Sequence, residues 1–230
     1  MKTIGLIGGM SWESTVTYYK VINETVKNHL GGLHSARLIL YSVDFQEIEA
    51  CQANGEWDKS AQILTAAAVG LEKAGAEMAV ICTNTMHKIA PQIQEHISIP
   101  ILHIADAAAA ALRVQNITKT ALLGTRYTME GKFYKQKLVD AGIDVLVPQG
   151  AEAKEVNRVI YEELCVGIIT EESKAKFLKV IDRLKAKGAQ SVILGCTEIG
   201  LLIGQKDTDL PVFDTALIHA EMAALEAIKL

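Results

Sequence analysis

Gly75-Ala76-Glu77-Met78-Ala79-Val80-Ile81-Cys82-Thr83-Asn84-Thr85 returns about 113 residues later as Gly188-Ala189-Gln190-Ser191-Val192-Ile193-Leu194-Gly195-Cys196-Thr197-Glu198. In both copies a run of apolar residues stops at small polar ones, as a buried strand does where it ends beside a ligand. Two further echoes keep nearly the same spacing. Thr3-Ile4-Gly5-Leu6-Ile7-Gly8-Gly9 resembles Lys119-Thr120-Ala121-Leu122-Leu123-Gly124-Thr125, and Ile99-Pro100-Ile101-Leu102-His103 resembles Leu210-Pro211-Val212-Phe213-Asp214. Three echoes in one order predict two similar half-molecules about a pseudo-two-fold axis. Each half brings one strand end, Thr83 or Cys196, to a shared cleft.

The bulk numbers fit that division. A chain of 230 residues is long enough for two lobes of about 110 residues each. Hydrophobic residues make up 50% of it and charged ones 22%, so there is material for packed cores. Only 5% is aromatic, which points to Ala, Ile, Leu and Val cores of the kind that cover both faces of a parallel sheet. A net charge of −4 and a pI near 5.9 argue against nucleic acid as the partner. No apolar run reaches membrane-spanning length, and the chain enters a strand-like segment at once, so neither a membrane span nor a signal peptide is expected. The four cysteines lie far apart with no C-x-x-C pair, which reads as free thiols in a reducing cytoplasm rather than a structural metal site.

Strand-like runs alternate with helical patterns, implying βαβ units. Strands are expected at 2–7, 36–43 and 78–82, with helices at 12–30, 58–74 and 86–96, Ser11 capping the first helix and Gly75 closing the second. The second half repeats the order, with strands at 120–123, 145–147 and 191–194 and helices at 129–141, 153–166 and 171–187. Pro100–Ile104 reads as the start of the second lobe, and Pro211–Phe213 with a helix over 216–230 as a return to the first. The expected lobes are therefore 1–99 plus 208–230, and 100–207.

Four strand ends carry small polar residues where hydrophobic ones stop: Met10 and Ser11 after Gly8-Gly9; Thr83, Asn84 and Thr85; Thr125 to Thr128; and Cys196, Thr197 and Glu198. Hydroxyls, amides and free N–H groups there make a rim suited to a carboxylate. A tight strand-to-helix turn is the plainer account of Gly8-Gly9. Cys196 is the sharpest candidate, since a thiol before a helix start is expected to have its pKa drawn from about 8.5 toward neutrality. A buried small hydrophobe is the alternative. Cys82 precedes Thr83, alternates to the other face and reads as core packing. His87 lies one helical turn after Thr83, placed to orient a ligand or Asn84, or simply to pack. Asp44, Gln46, Glu47 and Gln52 follow the second strand, with Gln52 taken as a binding residue at the cleft mouth and most of the others as solvated. Cys51 and Cys165 read as incidental.

Gly5-Leu6-Ile7-Gly8-Gly9-Met10-Ser11, Thr83-Asn84-Thr85-Met86-His87 and Gly195-Cys196-Thr197-Glu198 resemble the three signatures of the aspartate/glutamate racemase family, in order and through nearly the whole chain. The resemblance implies two pseudo-symmetric, Rossmann-like (flavodoxin-like) α/β lobes, each a parallel sheet flanked by helices, with the active site at the lobe interface. It implies a racemase that uses no cofactor, acting on a small amino-acid substrate by α-proton abstraction and reprotonation between two cysteines. A homodimer is left open. Thr83 stands where the family has its first cysteine. A hydroxyl of that kind relays protons but does not wait as a base, so the expected bias is L-to-D. Cys165 stands where some aspartate racemases have a lysine that holds the side-chain carboxylate. The alternatives are a broad-specificity racemase for non-acidic amino acids, a single-cysteine decarboxylase and a non-catalytic amino-acid-binding protein.

Overall fold

The alternation in the sequence folds into two separate parallel sheets. A computed structural model describes residues 1–229 of the chain. One unit comprises residues 1–104 and the chain from His219 onward; the other comprises residues 105–218.

The first unit contains β1 (Ile4–Gly8), α1 (Trp12–Leu30), β2 (Leu38–Ser42), α2 (Phe45–Asn54), α3 (Trp57–Lys73), β3 (Met78–Ile81), α4 (Ala90–Gln94) and β4 (Ile101–Leu102). Its sheet runs β2-β1-β3-β4, every pair parallel. On α3, Leu64, Ala67, Ala68 and Leu71 recur at helical spacing and bury against Ile7, Ala79 and Ile81 of the sheet. Truncating a fully buried residue of this stripe, as in Leu71→Ala, costs about 2–5 kcal/mol.

The second unit contains most of α5 (Ile104–Val114), then β5 (Lys119–Gly124), α6 (Arg126–Glu130), α7 (Lys132–Asp140), β6 (Asp144–Leu146), α8 (Ala151–Glu162), α9 (Glu171–Ala186), β7 (Val192–Gly195), α10 (Ile199–Leu202), β8 (Val212–Asp214) and the start of α11 (Thr215–Ile228). Its sheet order, β6-β5-β7-β8, is the same topology as in the first unit, again all parallel. Val156, Val159 and Ile160 of α8 and Phe177, Ile181 and Leu184 of α9 cover Ala121, Leu123, Val192 and Leu194. Among the described residues no helix is long and apolar enough to cross a membrane.

The structure departs from the sequence reading at particular elements. Strands β4 and β8 do not begin a new sheet. Each pairs onto the strand it follows, Ala79 with Ile101 and Val192 with Val212, so the units divide at 104/105 and 218/219. The segment after β2 forms helix α2, capped by the Asp44 carboxylate on the Gln46 N–H at 3.0 Å and closed by Gly55 in the left-handed region at φ 74°. The single helix expected at 129–141 is two, broken at Gly131, where ψ is 132° and a Cβ would collide with the Tyr127 carbonyl. The last residue of the helix expected at 216–230, Leu230, lies outside the described residues.

His219 on α11 ties the first unit together. Its Nε2–H donates to the Leu102 carbonyl at 2.9 Å, which leaves Nδ1 to accept the Tyr18 hydroxyl at 2.8 Å. Complete burial, with His87 close by, pulls its pKa down to about 3. The unfolded chain therefore binds a proton at this ring below about pH 6.5 that the folded chain refuses, and stability falls as pH drops from there toward 3. His219→Gln is expected to flatten that slope relative to wild type by up to about 1.4 kcal/mol per pH unit, read from urea unfolding at pH 4 to 7. Parallel slopes for the two proteins would contradict a buried neutral imidazole.

Candidate active site

In an open parallel sheet the crevice lies at the carboxyl ends of the two strands where the winding order reverses. With orders β2-β1-β3-β4 and β6-β5-β7-β8, those strands are β1 and β3 in the first unit, β5 and β7 in the second. The candidates read from sequence follow these four strands, Gln52 excepted.

In the first unit the turn after β1 is tight. Gly9 has φ 90°, and a Cβ there would collide with the Val43 carbonyl. The Gly9 N–H donates to Thr15 Oγ1 at 2.8 Å, and that hydroxyl donates to the Ser11 carbonyl at 2.9 Å. Ser11 caps α1 by accepting the Ser14 N–H. Met10 departs from the picture of a polar rim, because its side chain joins the core. After β3, Thr83 is half-buried, while Asn84 and Thr85 are buried. Gln52 is buried too, its Nε2 donating to Met86 Sδ at 3.0 Å, whereas Asp44, Gln46 and Glu47 are exposed. Cys82 is sealed in the core and burial pushes its thiol far above the usual range, as befits packing.

In the second unit Gly124 of β5 and Gly195 of β7 are register partners. A Cβ on Gly124 would come within 2.7 Å of the Gly195 carbonyl, so the absent side chains let the strand ends close together. Thr125 follows one and Cys196 the other. Thr125 caps α6 by accepting the Thr128 N–H, and the two buried hydroxyls lie 3.4 Å apart. Cys196 is 8% exposed, and its Sγ–H donates to Glu198 Oε2 at 2.9 Å. Thr197 donates to the same oxygen at 2.9 Å.

This geometry reverses one expectation. The Cys196 thiol is pushed well above its ordinary pKa, first by burial and then by the Glu198 carboxylate. The helix expected to lower it, α10, has four residues and little dipole to offer. Cys196 therefore rests as a thiol with a carboxylate placed to receive its proton.

Sequence reasoning missed two neighbours. Asp214, at the end of β8, is paired in register with Leu194 and lies so close to Gly200 that a Cβ there would collide with its carboxylate. Burial raises its pKa, with Glu198 adding to the effect. His103, its counterpart in the repeat, sits 4.5 Å from the His87 ring. The pairing of Ile99–His103 with Leu210–Asp214 was the signal for both. Among the described residues no three His, Cys, Asp or Glu side chains cluster as a metal ion would need.

The strand ends of the second unit carry a thiol–carboxylate pair, and those of the first carry hydroxyl and amide groups. Residues 7–223 match the family model for Asp/Glu/Hydantoin racemases, and the chain belongs to that family and so to the isomerases. Over the full length of both chains it is similar to a solved Yersinia pestis protein described as a candidate Asp/Glu racemase, at 55% identity and TM-score 0.93. It also matches an aspartate racemase homologue of Pyrococcus horikoshii, with 37% identity, TM-score 0.86 and full coverage of both chains. A broad-specificity amino-acid racemase of Bacillus subtilis is 23% identical over 95% of each chain.

Glu198→Gln removes the charge that helps raise the Cys196 pKa. The pH midpoint for iodoacetamide alkylation of Cys196, followed by peptide mass spectrometry, is expected to fall. Cys82 should stay unmodified throughout, since it is sealed in the core. A midpoint that rises or stays fixed would remove Glu198 from the electrostatics of the thiol.

Proposed function

We propose that this protein interconverts the L- and D-forms of aspartate or glutamate, using neither pyridoxal phosphate nor metal, and that it works best from the L-side. The observation that carries the reading is the buried Cys196 thiol with the Glu198 carboxylate 2.9 Å away. Proton passage from sulfur to carboxylate gives a thiolate only when needed, and that thiolate takes the α-hydrogen of the L-substrate as a proton. The carbanion then receives a proton on its other face from the Thr83 hydroxyl, which is resupplied from water, while Glu198 gives its proton back to solvent and so closes the cycle. Asn84, Thr85, Thr125, Thr128 and Thr197, with Ser11, Gln52 and the backbone at Met10, hold the substrate and stabilise charge that builds on its carboxylate as the α-carbon ionises. Among the described residues no cysteine forms a disulfide, which suits a reducing cytoplasm.

The bias has a thermodynamic bound. Enantiomers have equal free energies in water, so true racemisation has the same kcat/KM in both directions. A preference for L must appear as different saturation or as a slow complete cycle. The family membership and the Pyrococcus relative favour acidic substrates. Cys165, standing where a carboxylate-holding lysine is found in some aspartate racemases, favours the broader reading represented by the Bacillus relative.

Chiral chromatography of each L-amino acid incubated with the protein tests both readings. Accumulation of D-aspartate or D-glutamate is expected, to be abolished by Cys196→Ala with the fold intact by circular dichroism. Thr83→Cys should raise turnover by about tenfold or more, because a thiol can be tuned near working pH as a hydroxyl cannot. Inversion confined to non-acidic amino acids would replace the acidic reading with the broad one, and inversion of none would end both.

A further inference from the structure

His87 holds two backbone groups at once, and together they settle which ring nitrogen carries the proton. The Ile104 N–H points at Nε2 at 3.2 Å, so Nε2 must accept. Nδ1 therefore bears the hydrogen of the neutral ring and donates to the Thr83 carbonyl at 2.8 Å. The ring is fully buried within the first unit, where His103 and His219 pack against it at centroid distances of 4.5 and 5.6 Å. Ile104 starts α5 directly after β4, the strand whose Leu102 carbonyl is held by His219. His87 thus pins the peptide of Thr83 to a corner that a second buried histidine already fixes.

The chain needs such a pin at Thr83. Strand β3 ends at Ile81, its last residues pair with β1, and the next element is a short 3₁₀ turn, Thr85–Ile89, which carries His87 and leads into α4 at Ala90. Between them Thr83 is held by its own N–H on the Ile81 carbonyl at 2.9 Å and by His87 on its carbonyl. A hydroxyl that must deliver a proton to one face of a carbon tolerates little drift.

We infer that His87 is a positioning residue for Thr83: the Nδ1–H bond to the Thr83 carbonyl sets where the hydroxyl points, and so governs the half-reaction that Thr83 serves. This rests on the racemase reading for its consequence in turnover and on the hydrogen bonds alone for its geometry.

Two replacements separate the roles of the ring nitrogens. His87→Asn keeps a donor near the place of Nδ1 and loses the acceptor for Ile104. His87→Gln keeps an acceptor near the place of Nε2 and loses the donor to Thr83. His87→Gln is expected to lower kcat for L-to-D inversion by about tenfold, the loss that goes with one hydrogen bond. Its KM and its rate of solvent-deuterium entry from the L-substrate, the step assigned to Cys196, should change far less. His87→Asn should recover most of the inversion. Equal losses in both variants, or a worse loss in His87→Asn, would reduce His87 to a structural residue and overturn the inference.

A second arm needs no turnover. In a Thr83→Cys background, the alkylation rate at position 83 should shift severalfold with His87→Gln and little with His87→Asn. That pattern in a protein that racemises nothing would sink the proposed function and keep the inference. Indifference of position 83 to both changes would sink the inference whatever the activity.

Discussion

The chemistry proposed for this protein turns on one hydrogen bond, the Cys196 thiol donating to Glu198 in a setting almost closed to water. Burial makes a lone thiolate costly, and the neighbouring carboxylate makes it costlier. In the proposed chemistry the same carboxylate is the acceptor that takes the proton away. A site built so keeps its base protonated at rest and exposes no standing thiolate to oxidation or alkylation. Thr197 donating to the same oxygen steadies the acceptor, and Asp214 on the next strand adds a second, half-buried carboxyl whose pKa is raised.

Topology delivers these groups. Each unit winds its sheet in the same order, so each has one place where neighbouring strands diverge, and the polar residues follow those strands. Missing side chains complete the arrangement. Gly124 and Gly195 lie opposite one another because neither carries a Cβ, and Gly9 turns where only a residue content at positive φ can. What differs between the units is the first polar residue of the recurring motif: a hydroxyl at Thr83, a thiol at Cys196.

Much of this was legible in the sequence. The internal repeat announced two like units and named the strand ends, and α1 runs from Trp12 to Leu30 as its Ser11 cap and apolar spacing foretold. The edges were less legible. Strands β4 and β8 are two and three residues long, and nothing local says which sheet such a short strand will join; the pairing partner decides. Helix α2 hid because its apolar stripe is thin, Ile48 and Cys51 being its buried hydrophobic residues. The thiol's pKa was misjudged for a physical reason. Position before a helix was visible in the sequence, whereas the depth of burial and the turn that swings Glu198 back onto the sulfur are products of packing. The roles of His87 and His219 stayed hidden likewise, since the Ile104 and Leu102 backbone groups they reach lie far along the chain.

The central claim is that the two faces of the α-carbon are served by unlike groups, a thiol with a carboxylate behind it and a hydroxyl without one. Entry of solvent deuterium at the α-carbon, followed by proton NMR before enantiomers equilibrate, tests it most directly. The account predicts deuterium entering L-aspartate or L-glutamate at least about an order of magnitude faster than their D-forms, since a thiol with a carboxylate beside it gives up its proton far more readily than a threonine hydroxyl does. Equal rates from the two enantiomers would contradict it.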